Sequence, residues 1–358
     1  MNAQITAGDY TFTVVEDIIT KFEVIFVGSI LDGISGDRLR ATFSVTADRD
    51  DVLCKVVDGG LFCVAADVQV AFPDLTMPSP PIRLTVRADG YRDQTRVIAF
   101  PANPTIPVTI PAIVLRRRPI RLQGRVSQNT IAHPPIAGAR IMTDAAGPQV
   151  ILFRAPVRSD YPIGATVRAR TLDPVALAAP ARTLAAPSSS GQSTLVVNSR
   201  QGLVSGQVIR LGPPQFGQFS RVQSVSPTPA NMALPGEITV EVAPNRSFGT
   251  DTPIEVFTPG ASGTTRYLTR AADTGDGVLQ LDGPLAIETV EIEDAPQPLE
   301  YQALGALTDA DGYYSSDGIV GVAALDLKAS ATGFVTPATA VSHVLDYNQT
   351  TNVVDFRL

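Results

Sequence analysis

Tryptophan is absent from this 358-residue sequence, cysteine and histidine occur twice each, and charged side chains make up only 18% of it. Each shortage removes options. Two cysteines without neighbouring histidines cannot complete a tetrahedral zinc site. With no Trp and 6% aromatics, the ring-stacking surfaces of sugar-binding modules find little support. His133 precedes Pro134-Pro135 on an expected loop and His343 falls in an alternating strand. Neither stands in a ligand-spaced motif, and both read as structural or solvent-facing. No G-x-S-x-G elbow, H-E-x-x-H or P-loop occurs, although a Ser-His-Asp triad assembled in space leaves no such signature. Long apolar runs are missing too. Asp17, Lys21 and Glu23 interrupt the N-terminal stretch, so neither a secretory leader nor a membrane span is expected there. If this is the native start, synthesis and folding in the cytoplasm follow as an expectation. Positive charge is also scarce: the net charge of −7 argues against a nucleic-acid partner. Arg116-Arg117-Arg118 is the one basic run, read as a solvated strand end or linker rather than a phosphate patch.

What is abundant is punctuation. Proline and glycine number 29 and 28, scattered without period, which favours many short elements joined by turns. Apolar and polar residues alternate over residues 83–91, 121–126, 193–199, 237–243 and 352–358, the period of half-buried strands. The best helical stretch, residues 173–187, is cut by Pro180 and Pro187 and reads as a linker or one short helix. The fold class is all-β. Its 44% hydrophobic content suffices for real cores, and its length suits two or three domains.

Asp58-Gly59 reads as a two-residue hairpin loop. Counting outward, it sets Cys54 directly opposite Cys63 as a non-hydrogen-bonded pair, within reach of a disulfide. A cytoplasmic start instead favours reduced thiols.

The stretch "LTDADGYYSSDG" (307–318) raises a choice between a calcium loop and a turn. A calcium loop of EF-hand type has glycine sixth and a bidentate Glu twelfth. Counted from Asp309, glycine falls fourth and the twelfth residue is Val320. A hairpin turn with Asp311-Gly312 at its tip accounts for every residue, so no metal and no cofactor is expected. The acidic cluster Glu288, Glu291, Glu293 and Asp294 lies along one expected strand, with Glu291 and Glu293 on one face, and reads as a solvated edge.

Two parts of the chain echo one another. Leu84–Tyr91 matches Leu327–Phe334 in register, each with an Asp-Gly turn upstream and an alternating strand downstream. This suggests an internal duplication of a sandwich of roughly 100 residues. The second unit carries Gly124–Val126, Pro135–Ile141, Thr308–Tyr314, Ala331–Phe334 and Val354–Leu358. In those segments it resembles the carboxypeptidase-regulatory-like, or transthyretin-like, domain, which is non-catalytic. The resemblance implies tandem transthyretin/Ig-like sandwiches. The N-terminal one would span 1–117, with 20–117 a divergent copy, and the second 118–144 plus 300–358. Residues 145–299 form a large β-rich insertion placed where a surface loop would run. Within it, 182–258 and 262–295 repeat a pattern of Arg-x-Leu, a glycine turn, a strand, a Gly-[LP]-Leu corner and a second strand. Such segments weakly resemble small β-modules of phage tail and baseplate proteins.

The function expected from all this is structural rather than enzymatic. Tandem interaction modules and a loop insertion suit a subunit present in multiple copies with other protein subunits, such as an accessory, baseplate or fibre-type protein of a phage tail or phage-tail-like contractile injection system. The alternative is a cell-surface adhesion or ligand-binding β-sandwich.

Overall fold

The computed structural model describes residues 2–7, 10–15, 22–74, 76–144, 149–285, 289–295, 297–337 and 339–358. They fall into two units, Met1–Arg118 and Pro119–Leu358. Glu288 of the acidic cluster lies outside the described residues.

In the first unit, β1 (Asn2–Ala7) pairs antiparallel with β2 (Tyr10–Val15). The chain continues through β3 (Glu23–Asp32), β4 (Phe43–Ala47), β5 (Val52–Val57) and β6 (Leu61–Ala66). After one helical turn, α1 (Val68–Ala71), come β7 (Ile82–Ala88), β8 (Gln94–Ile98), β9 (Val108–Thr109) and β10 (Ile113–Leu115). Asp67 caps α1 by accepting from the Gln69 amide. One sheet has β3 at its centre, with β6 and then β5 antiparallel on one side and the short β9 and β10 parallel on the other. The second sheet runs β4-β7-β8. Ile25, Phe26, Phe62 and Val64 from the first sheet and Val45, Ile82, Leu84 and Val86 from the second share one buried core. Alternation along β4, β6 and β7 sends these residues inward, and in β3 a register shift between Val24 and Phe26 lets the adjacent Ile25 and Phe26 both enter the core.

The second unit holds β11 (Ile120–Ser127), β12 (Arg140–Thr143), β13 (Gln149–Leu152), β14 (Thr166–Pro174), β15 (Thr194–Val197) and β16 (Val208–Leu211). Next are β17 (Gln218–Val225), β18 (Gly236–Val240), β19 (Ile254–Tyr267), β20 (Val278–Leu281) and β21 (Thr289–Glu293). Last come β22 (Glu300–Ala303), β23 (Ala306–Leu307), β24 (Tyr313–Ile319), β25 (Ala324–Ser330), β26 (Val341–Val344), β27 (Thr351–Val353) and β28 (Phe356–Arg357).

Its sandwich repeats the order of the first. Central β11 takes β24 antiparallel on one side and the closing strands β27 and β28 parallel, as β3 takes β6 and then β9 and β10. The facing sheet runs β12-β25-β26, as β4-β7-β8 does, with β23 added beside β12. Leu84 and Leu327 both lie fully buried on the middle strand of that sheet. The strands end near Gly90 and Gly333, both with positive φ, where a side chain would be strained.

Strands β14–β19, β21 and β22 form one eight-stranded sheet, in the order β15-β18-β17-β16-β19-β14-β21-β22; β22 pairs with β21, so this sheet runs past residue 299, the expected end of the insertion. Three hydrophobic clusters among the described residues pack on it, one built on Leu184, Leu195, Ile209 and Ile254, a second on Val167, Leu268, Leu281 and Ile292, and a third on Val208, Phe219, Phe257 and Tyr301. The pattern repeats closely. Leu184 bridges Val197 and Leu268 bridges Leu281, thirteen positions on in each case. The Arg182 guanidinium donates to the Gln201 carbonyl at 2.6 Å, and Arg266 to Pro284 at 3.0 Å, tying each Arg-x-Leu to its corner. Ser188 bridges Phe248, and its counterpart Ala272 bridges Tyr161. The counterpart of the β19 approach is therefore the β14 approach, which comes earlier in the chain. The copies interleave through two long antiparallel strands, β14 and β19.

No helix forms in residues 173–187. The chain leaves β14 at Pro174 and crosses to the first copy as a linker. The insertion is joined to the sandwich at backbone level: the Gly277 amide donates to Gly318 at 2.6 Å, and a Cβ on Gly277 would stand 1.9 Å from the Asp317 carbonyl.

Candidate functional site

An open cleft of about 960 Å³ lies in the second unit. Period-two alternation builds its floor. Arg121, Gln123 and Arg125 point out of β11, while Leu122 and Val126 point into the core. On β24, Tyr313, Ser315 and Asp317 point the same way, and Tyr314 and Ser316 are buried. The register sets Arg125 against Tyr313 and Gln123 against Ser315. Asp355 borders the row and accepts from the Arg125 amide at 2.8 Å. The far wall comes from the insertion, through Arg154, Gln215, Phe216 and Arg246.

The cleft's charges are mixed and mostly engaged. Arg121 pairs with Asp317 at 2.6 Å. Arg125 lies over the Tyr313 ring at 5.4 Å, and Arg246 over the Phe216 ring at 5.8 Å. Tyr313 and Phe216 are 54% and 47% exposed. Beneath the floor, Tyr314 donates its hydroxyl to the Val354 carbonyl at 2.7 Å, and burial pushes its pKa well up, so it stays a neutral donor. Gly124 sits where a Cβ would meet that same carbonyl at 1.8 Å, so only glycine lets β11 and the closing strand approach.

The TDADGYY stretch is the cleft's rim. Asp309 caps the turn, its carboxylate accepting from the Asp311 amide at 3.0 Å and the Tyr313 amide at 2.9 Å. The expected geometry needs correction. Asp311 does not take positive φ; Gly312 alone does, and the turn links β23 and β24, which belong to different sheets. It is a corner of the sandwich rather than the tip of a paired hairpin. Among the described residues, no group of three His, Cys, Asp or Glu side chains could hold a metal.

The cysteine register is also corrected. The loop between β5 and β6 has three residues, Asp58 to Gly60, with Gly59 and Gly60 both at positive φ. The extra residue shifts the pairing by one: Cys54 faces Val64, and Cys63 faces Lys55. Odd and even positions lie on opposite faces, so the thiols point apart and both are free. Burial pushes the Cys54 thiol up to about 11 and raises that of Cys63.

Of the acidic cluster, Glu293 is exposed and pairs with Arg168 at 2.9 Å. Glu291 overturns the expectation of a solvated edge. Only 1% exposed, it takes Arg170 in a bidentate pair at 2.8 and 3.0 Å, because β21 lies between β14 and β22. The basic run does follow a strand end, β10, and reaches the boundary of the unit, but it is not simply solvated. Arg117 meets Asp32 at 2.7 Å and stacks on Tyr91 at 4.3 Å, and Arg118 donates to the Tyr91 carbonyl. His133 contacts the Gln128 carbonyl, and His343 the Asn352 side chain.

Sequence reasoning missed the fully buried Glu300. It accepts from the Arg158 amide and side chain, from the Tyr161 hydroxyl at 2.9 Å and from Gln302 at 2.6 Å. Burial first, then the Glu300 charge, pushes the Tyr161 pKa far up. In the first copy Gln218 and Asn245 occupy the equivalent places as an amide pair. The interleaved repeat was the signal that could have found this site.

No protein-family profile matches the chain. No curated protein matches it. Among solved structures it is similar to a variant of BcpA, the major pilin subunit of Bacillus cereus, with 6% identity, 94% of this chain and 99% of that chain covered, and a TM-score of 0.20. At that score the likeness carries no argument about function.

Proposed function

We propose that this chain is a non-enzymatic structural component of a larger protein assembly, built from two sandwiches of transthyretin-like, carboxypeptidase-regulatory-like type. In its finer form the proposal places it as an accessory, baseplate or fibre-type subunit of a phage tail or phage-tail-like contractile injection system. The observation that carries the reading is the seam between insertion and sandwich. Gly277 and Gly318 bring the backbones closer than any side chain would permit, and Arg270 and Gln280 donate to the Gly321 carbonyl beside them. An inserted module fastened this way moves with its host domain, which suits a mechanical part. The buried carboxylates support the same reading, since Glu291 and Glu300 are both engaged by arginines inside the fold.

Isolation of the native assembly followed by mass spectrometry tests the proposal. The chain is expected at fixed stoichiometry with the other subunits, and sheath, tube or baseplate proteins among them would establish the finer form. Recovery of the chain only as a free molecule would overturn the proposal.

A further inference from the structure

We infer that the cleft over β11 and β24 binds a glycan chain, with Tyr313 and Phe216 as ring-stacking platforms. The inference does not rest on the assembly reading, and it departs from the composition, whose few aromatics gave sugar binding little support: two exposed rings at one cleft matter more than the number in the chain. Three observations carry it. Two of the chain's 22 Phe and Tyr residues, both about half exposed, border one hollow, each with an arginine over its ring. The C–H face of a sugar ring presents weakly positive hydrogens to an aromatic face, as the edge of a second ring does. Second, the lining alternates donors with acceptors: Arg121 beside Asp317, Gln123 beside Ser315, and Arg125 beside Asp355. A sugar hydroxyl both donates and accepts, so vicinal hydroxyls can bridge each such pair. Third, a second hollow of about 490 Å³ shares Arg154 and Leu307 with the first, so the groove continues along the module and suits an extended chain.

The same features disfavour other polymers. For a nucleic acid, Asp309, Asp317 and Asp355 interrupt the four arginines of the lining, so no continuous basic track runs along the cleft for its phosphates. A peptide adding as a strand needs a free sheet edge, whereas the floor is a sheet face centred on β11, whose backbone groups are paired on both sides.

The test is binding of the purified full-length chain to a broad glycan array, followed by calorimetry with the neutral or uronic-acid polysaccharides that bind. Saturable binding is expected. It should fall at least about tenfold in Tyr313→Ala and again in Phe216→Ala, the scale of one lost stacking contact. Thermal unfolding should shift by no more than the loss of one surface cation–π contact, since both rings are about half exposed. Val97→Ala, an exposed change in the other unit, should bind as the parent does. Absence of binding across the array, binding undiminished in both aromatic variants, or preferential binding of single-stranded DNA or an acidic peptide would each overturn the inference. The assembly proposal would survive all three results.

Discussion

At the scale of single residues, the ionisable groups under strongest influence serve the fold. Burial works to raise the Asp32 pKa, but the Tyr91 hydroxyl at 2.5 Å, the Ile34 and Ser35 amides and the Arg117 charge outweigh it and hold the carboxyl below its ordinary 3.8. A carboxylate with a depressed folded pKa adds stability that is complete above its unfolded pKa and lost as pH falls through the folded one. Urea midpoints between pH 6 and pH 2 should therefore drop below about pH 4. Asp32→Asn should be less stable at neutral pH and show a flatter acid limb; an unchanged limb would remove Asp32 from the account. The thiols give a second test. With Cys54 raised to about 11, alkylation at pH 8 should be slow in the folded chain and complete after denaturation. Both thiols should count as free by mass, since the three-residue loop turns them to opposite faces.

At the scale of elements, glycine decides what can touch. The seam between insertion and sandwich leaves no room for a methyl group at Gly277, 1.9 Å from the Asp317 carbonyl, and backbone cannot swing aside as a side chain would. Gly277→Ala should cost roughly 1–3 kcal/mol, the scale of overpacking. It should also speed hydrogen exchange in β13 and β20, which pair with each other next to the seam. Unchanged exchange there would show that the seam does not fasten the insertion. The outward row of β11 and β24 follows from alternation alone, so residues 121–125 and 313–317 were legible as one polar face. That Phe216 and Arg246 close over that face was not, because both lie on loops that reach it from sequence positions far away.

At the scale of the whole molecule, the two units carry separate cores. Leu84 and Leu327 are equivalent buried residues, one in each. Truncating either to Ala should cost about 2–5 kcal/mol. Leu84→Ala should shift one thermal transition and Leu327→Ala another. A single transition lowered equally by both would mean that the units unfold as one.

Period-two alternation and dense Gly and Pro determined by themselves that the fold class is all-β, because strands half-buried on one face require that pattern whatever their neighbours. The sequence also exposed the paired segments Leu84–Tyr91 and Leu327–Phe334. Only the tertiary structure decided register, burial and cleft. One added loop residue turned Cys54 from Cys63, a matter of φ at Gly59 and Gly60 that composition does not set. Glu291 reads as surface on its own strand and is buried because β14 and β22 flank it. The first rests on backbone dihedrals within one loop and the second on strands distant in the chain, and the apolar-polar pattern records neither.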